Sequence, residues 1–276
     1  MKIIENKTFD EERALYGSNG ISVKNCRFDG PADGESALKE SRNIEVEDCY
    51  FNLRYPFWHD DTLKIISCEL TENCRAALWY SENVRIENSI LHGIKALREC
   101  SNISIKNCDI VSSEFGWYNN LVWVEDAKVS GEYFMMRSNK LKFNNVELNG
   151  KYSFQYIEDS TFENCNFNTK DAFWHAKNVT VRDSVIKGEY LAWYCENVTF
   201  VNCRIEGTQP LCYCKNLHLE NCEMINCDLS FERSDIVATL RAPIVSIKNP
   251  LRGKITVPAA DEIIRDFDSS CEIIIG

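Results

Sequence analysis

Two adjacent columns of residues hold most of the side chains in this sequence that could bind or transform a ligand. One column contains Lys39, Trp58, Trp79, Arg98, Trp117, Met136, Gln155, Trp174, Trp193 and Cys212. The next contains Glu40, His59, Tyr80, Glu99, Tyr118, Arg137, Tyr156, His175, Tyr194 and Tyr213. Sugars stack their C–H faces on flat rings, and their hydroxyls bond to carboxylates, imidazoles and guanidinium groups. The pattern therefore predicts a ligand-binding face of Lys39, Trp58, Trp79, Tyr80, Trp117, Tyr118, Tyr156, Trp174, His175, Trp193 and Tyr194. Aromatic ladders that only stabilise a sheet would produce the same columns.

Catalysis needs closer pairs. Glu40 and His59 sit one repeat apart, where a carboxylate could orient an imidazole acting as general base, and Arg98, Glu99 and Arg137 could supply charge further along. A surface ladder of ion pairs accounts for these five candidate catalytic residues equally well. Glu40 and Glu99 are three rungs, about 14 Å, apart at the usual strand spacing. That exceeds the roughly 5 to 9.5 Å of glycosidase carboxylate pairs. Asp60 and Asp61 fall in a bend, where acidic residues commonly form turns. The spacings of Cys212 with Cys214 and of Cys222 with Cys227 are not those of a zinc knuckle, so neither a metal nor a cofactor is expected.

Repetition must position these side chains. Equivalent residues Cys49, Cys68, Ser89, Cys108, Ala127, Val146, Cys165, Ser184, Cys203 and Cys222 are separated by 19 residues at every step except one of 21. Five and three residues before this anchor lie apolar pairs such as Val84/Ile86, Ile103/Ile105 and Val179/Val181. The alternation is that of a strand. Two residues past the anchor a second short strand supplies Phe51, Leu70, Leu91, Ile110, Phe167 and Ile205. The cysteines read as small core residues. Columns of Asn and Asp, among them Asn83, Asn102 and Asn197, then Asn88, Asn107 and Asn202, mark bends that tolerate left-handed backbone. Glycines such as Gly188 and Gly207 mark a further corner. A third strand is expected to carry the two chemically varied columns, with Leu38, Phe57, Leu78, Phe154 and Phe173 pointing inward and the tryptophan column outward.

These features predict an all-β, single-stranded right-handed parallel β-helix of about 10–12 coils of about 19 residues. The phrasing Asn-Val-x-Ile-x-Asn at Asn83 to Asn88, with its variant carrying Phe200 and completed by Cys-x-Ile at Asn197 to Ile205, resembles the coils of the pectate-lyase-like superfamily. The stretches Gly34 to Glu40 and Arg54 to His59 resemble an uncharacterised bacterial family within it. That resemblance implies fold and bacterial origin. The superfamily's calcium-binding acidic clusters and close aspartate sets find no match here.

The expected organisation is one domain, with an N-terminal cap over residues 1–18, regular coils over 19–226 and a closing coil and cap over 227–276. Thr8 to Glu11 reads as a capping box ahead of a short helix ending near Tyr16. A net charge of -11 repels polyanions, so nucleic acid, anionic membranes and pectate-like substrates are poor partners, and a neutral glycan or small glycoside fits better. No signal-peptide pattern opens the sequence, so a cytoplasmic location is expected. The functional expectation is a carbohydrate-active or carbohydrate-binding β-helix, a polysaccharide or glycoside hydrolase or lyase if an enzyme at all. The alternative is a non-catalytic scaffold. The sequence leaves the oligomeric state open.

Overall fold

The computed structural model describes all residues, Met1–Gly276, and contains strands and turns but no helix. The chain divides into two compact units, Met1–Met135 and Met136–Gly276. Each is a parallel β-helix.

In the first unit the long strand of each coil forms a parallel ladder through Lys2–Glu5, Ile21–Lys24, Arg42–Glu47, Asp61–Ile66, Glu82–Glu87, Ser101–Lys106 and Asn120–Glu132. Strict register turns each sequence column into a physical row: Val46, Ile65, Ile86, Ile105 and Val124 are successive partners, and all are buried. In the second unit the ladder runs through Asn139–Lys151, Glu158–Glu163, Lys177–Arg182, Glu196–Val201, Lys215–Ile225, Asp235–Leu240, Arg252–Val257 and Glu272–Ile275. Here the inward row is Phe143, Phe162, Val181, Phe200, Leu219, Ala238, Ile255 and Ile273. The coils make about 14 turns, more than the anchor column alone spells out, because coils at both ends lack the cysteine motif.

The bends follow the Asn and Asp columns. Asn83, Asn102 and Asn197 have φ of 55°, 56° and 55°, and Asn88, Asn107 and Asn202 have 50°, 51° and 54°. Their amides also bond coil to coil, as in Asn102 to Asn83 at 2.7 Å and Asn197 to Asn178 at 3.0 Å. Gly188 is required by close approach, since a Cβ there would stand 2.3 Å from the Thr169 carbonyl oxygen. All fourteen cysteines are buried thiols. They do more than fill space: Cys49 Sγ accepts from the Cys26 N–H at 3.3 Å and donates to the Val23 carbonyl at 3.6 Å.

Two expectations are corrected. The helix over Thr8 to Tyr16 is absent; Thr8–Phe9 is a short strand, Phe9 stacks on Phe28 at 5.1 Å, and Arg13, Leu15 and Gly17 donate to Glu35, Ala37 and Lys39. The segment is thus another coil, and packing the half-buried Phe9 on Phe28 outweighs a lone turn of helix. The third strand is also largely absent. Only Leu78–Trp79 and Leu97–Arg98 pair as strands, and elsewhere this side of the coil is built from turns. In the second unit alternate residues there are left-handed, including the buried Phe154, Phe173, Ala192 and Leu211 at φ of 55° to 63°.

Candidate functional site

The outer column stands at the corner where this turn-built side meets the long strand. Every member is left-handed: Glu40, His59, Tyr80, Glu99 and Tyr118 have φ of 61°, 60°, 59°, 50° and 58°. In the second unit Arg137, Tyr156, His175, Tyr194 and Tyr213 have 56°, 58°, 57°, 60° and 61°. Such a conformation costs a bulky residue on the order of 1–2 kcal/mol. Ladder bonds offset it, since each amide reaches the next coil: His59 N–H to Trp79 O at 2.9 Å, Tyr80 to Arg98 at 3.0 Å, His175 to Trp193 at 2.9 Å.

Stacking is the second compensation. His59 lies on Tyr80 with ring centres 4.9 Å apart, and Tyr156, His175, Tyr194 and Tyr213 stack at 4.8, 5.1 and 4.9 Å. The tryptophan column stacks likewise, Trp58 on Trp79 at 5.0 Å and Trp174 on Trp193 at 5.4 Å. Rings that cover one another present edges to solvent. Tyr80, Tyr118, Tyr156 and Tyr194 are exposed.

The tryptophan column does not simply face solvent. Its rings are half-buried, and each indole N–H is bonded into the fold: Trp58 to the Ala76 carbonyl at 2.5 Å, and Trp79, Trp117, Trp174 and Trp193 to Lys95, Tyr133, Tyr190 and Gln209 at 2.7 Å. Gln155, expected to be an exposed member of this column, is buried and makes the same bond to Asp171 at 3.0 Å. A side-chain N–H that reaches the following coil is what these six positions share. Lys39 and Arg98 continue the column as cations, Lys39 at 5.5 Å from the Trp58 ring and Arg98 between Trp79 and Trp117 at 5.2 and 5.4 Å.

The five candidate catalytic residues are dispersed. Glu40 takes the Tyr16 hydroxyl, which pushes that phenol's pKa up, whereas His59 stacks on Tyr80, and no hydrogen bond joins Glu40 to His59. Arg137 lies in the second unit over the Tyr156 ring at 4.5 Å. Arg98 and Glu99 do meet, at 3.4 Å, and with Tyr118 they line an open hollow of about 590 Å³. Glu82, Ser101 and Asn120 complete its wall. Sequence reasoning missed these three because they sit at the start of the long strands, two residues past the outer column, where alternation alone marks them as solvated. Among the other predicted binding residues, His175 is partly shielded between Tyr156 and Tyr194, and burial holds its pKa below the ordinary imidazole value.

Residues 2–274 match the family model described as "Protein of unknown function (DUF3737)", and the chain belongs to that family. No curated protein matches the sequence. Among solved structures, the A-module of the Azotobacter vinelandii mannuronan C-5 epimerase AlgE4 is 11% identical, covering 87% of this chain and 81% of its own, with a TM-score of 0.38. PfbA, a surface adhesin of Streptococcus pneumoniae, is 12% identical over 91% of this chain and 71% of its own, at 0.36. Tailspike protein 3 of bacteriophage CBA120 is 7% identical over 99% of this chain and 56% of its own, at 0.37. Likenesses this distant lend the chain no activity.

Proposed function

We propose that this member of the DUF3737 family is a carbohydrate-binding β-helix whose ligand, a neutral glycan, lies against the polar ring edges of the first unit. The observation that carries the reading is the hollow in which Arg98, Glu99 and Tyr118 converge beside Glu82, Ser101 and Asn120. A cation, carboxylates, a phenol, a hydroxyl and an amide in one open concavity suit a polyhydroxylated ligand held by hydrogen bonds. Ring edges, rather than the ring faces expected from the sequence, would make the contacts, because the faces are occupied by stacking.

Titration calorimetry with neutral oligosaccharides tests the proposal. Glu99→Gln and Tyr118→Phe each remove hydrogen-bonding capacity and are expected to weaken binding about 3- to 10-fold, the effect of one net hydrogen bond, with little change in melting temperature. Absence of binding to any neutral glycan would overturn it.

A second reading, a scaffold without a ligand, is favoured by the tryptophan column. Indole N–H groups bonded to Lys95, Tyr133, Tyr190 and Gln209 give those rings a structural task without any sugar.

A further inference from the structure

The corner next to the outer column carries its own row of small polar side chains, Ser41, Asp60, Ser81, Cys100 and Asn119 in the first unit, with Cys195, Cys214 and Ser234 in the second. Each has two tasks. As acceptor, it caps the amide of its equivalent in the preceding coil: Ser41 Oγ takes the Ser18 N–H at 3.1 Å, Ser81 Oγ the Asp60 N–H at 3.1 Å, and Asn119 Oδ1 the Cys100 N–H at 2.8 Å. As donor, it gives its own hydrogen to a carbonyl on the inward row of that preceding coil. Ser41 gives to Leu15 at 3.5 Å, Ser81 to Phe57 at 2.7 Å, Cys100 to Leu78 at 3.3 Å, Cys195 to Phe173 at 2.8 Å, Cys214 to Ala192 at 3.0 Å and Ser234 to Leu211 at 2.7 Å.

Asp60 performs the first task, since its Oδ1 takes the Ser41 N–H at 2.8 Å. For the second it needs a hydrogen that an ionised carboxylate lacks. Its Oδ2 is buried with no hydrogen-bond partner, and the whole residue is 1% exposed. On the inward row the carbonyl between those of Leu15 and Phe57 is that of Leu38. An anion at Oδ2 would be buried with no donor to satisfy it, which is among the costlier arrangements in a protein interior.

We propose that Asp60 is a carboxylic acid in the folded coil, its Oδ2–H donated to the Leu38 carbonyl, and that losing this proton is what makes the corner carrying Glu40 and His59 sensitive to alkaline pH. The charged and titratable neighbours are Glu40 and Arg42 on the preceding coil, His59 and Asp61 on its own, and Tyr80 and Glu82 on the following one. Of these, Glu40 disfavours a second negative charge, and Asp61 is occupied by Asn83 and Thr62. Desolvation raises the Asp60 pKa to about 8, with Glu40 adding to the effect. The folded chain then holds a proton that the unfolded chain, with a carboxyl near 3.8, releases. Stability from this group is complete below about pH 4, declines as pH rises, and is gone above about pH 8.

Isotope-edited infrared spectroscopy on the full chain with labelled aspartate tests the protonation directly. A protonated-carboxyl C=O band is expected at about pH 6, lost on titration with a midpoint near 8 and missing above about pH 6 from Asp60→Asn. Asn supplies both the acceptor and the donor, as Asn119 Oδ1 already supplies the acceptor. The Asp60→Asn and Asp60→Ser variants should therefore lose fewer degrees of melting temperature than the parent between about pH 6 and about pH 9. Absence of the band in the parent at about pH 6, or variant pH profiles that superimpose on the parent's, would overturn the proposal. The band is read on the parent protein, so the test survives a variant that fails to fold.

Discussion

The outer column of the first unit is broken where that of the second is continuous, although both occupy the same left-handed corner. In the second unit Tyr156, His175, Tyr194 and Tyr213 stack without interruption, and each ring covers its neighbour. In the first unit the His59–Tyr80 stack is followed by Glu99 before Tyr118. A carboxylate is too small to fill a ring's place, and the hollow of about 590 Å³ opens there. An unbroken stack covers its own ring faces; an interruption leaves a hollow.

This comparison assumes that the units differ on the surface and not in the core. Phe57 of the first unit and Phe173 of the second occupy the same inward row and are fully buried. Phe57→Ala and Phe173→Ala should each cost about 3–5 kcal/mol, the range for large core aromatics. Chemical denaturation followed separately in each unit by hydrogen exchange would measure this. A difference of several kcal/mol between the two would locate the contrast in packing instead.

A smaller effect separates the columns themselves. Tyr194→Glu places in the second unit the interruption that Glu99 makes in the first, and removes both stacked contacts, with His175 and Tyr213, besides an edge contact with Trp193. It should destabilise by about 1–3 kcal/mol at roughly 0.5–1.5 kcal/mol per aromatic pair. The reverse change, Glu99→Tyr, should close the hollow, stabilise the first unit by about 1 kcal/mol through new stacking and abolish glycan binding. Binding that persists in Glu99→Tyr would show that the ligand lies elsewhere.

How much of this was legible in the sequence follows from the same physics. The long and short strands could be read because alternation and β-branching report on burial, and Asn at bends reports on left-handed backbone. The conformation of the third side could not, because Tyr80, Glu99, His175 and Arg137 have no intrinsic preference for φ near +55°; ladder bonds and stacking impose it. Spacing places the five tryptophans in one column without revealing that neighbouring rings stack on one another. Asp60 read as a turn former because nothing in its neighbours marks that corner as interior. The hydrogen bonds of Ser41 and Ser81 do.

The smallest predicted effect distinguishes the His175 stack from the Asp60 corner by the sign of their pH response. Burial between two tyrosines holds the His175 pKa below 6.5, so the folded chain binds fewer protons there than the unfolded one as pH falls through that value. Stability from His175 is therefore complete above about pH 6.5 and declines towards the lower pKa of the folded state. The first unit, through Asp60, should weaken in the opposite direction, between about pH 4 and about pH 8. Hydrogen exchange compared at about pH 5 and about pH 8, after correction for intrinsic rates, should show protection falling at acid pH around Tyr156 to Tyr213 and at alkaline pH around Leu38 to Ser81. His175→Phe keeps a ring in the stack and removes the titration, so it should flatten the acid limb alone. Loss of both limbs in that variant would mean that the two units share one titrating group, and the contrast between them would fail.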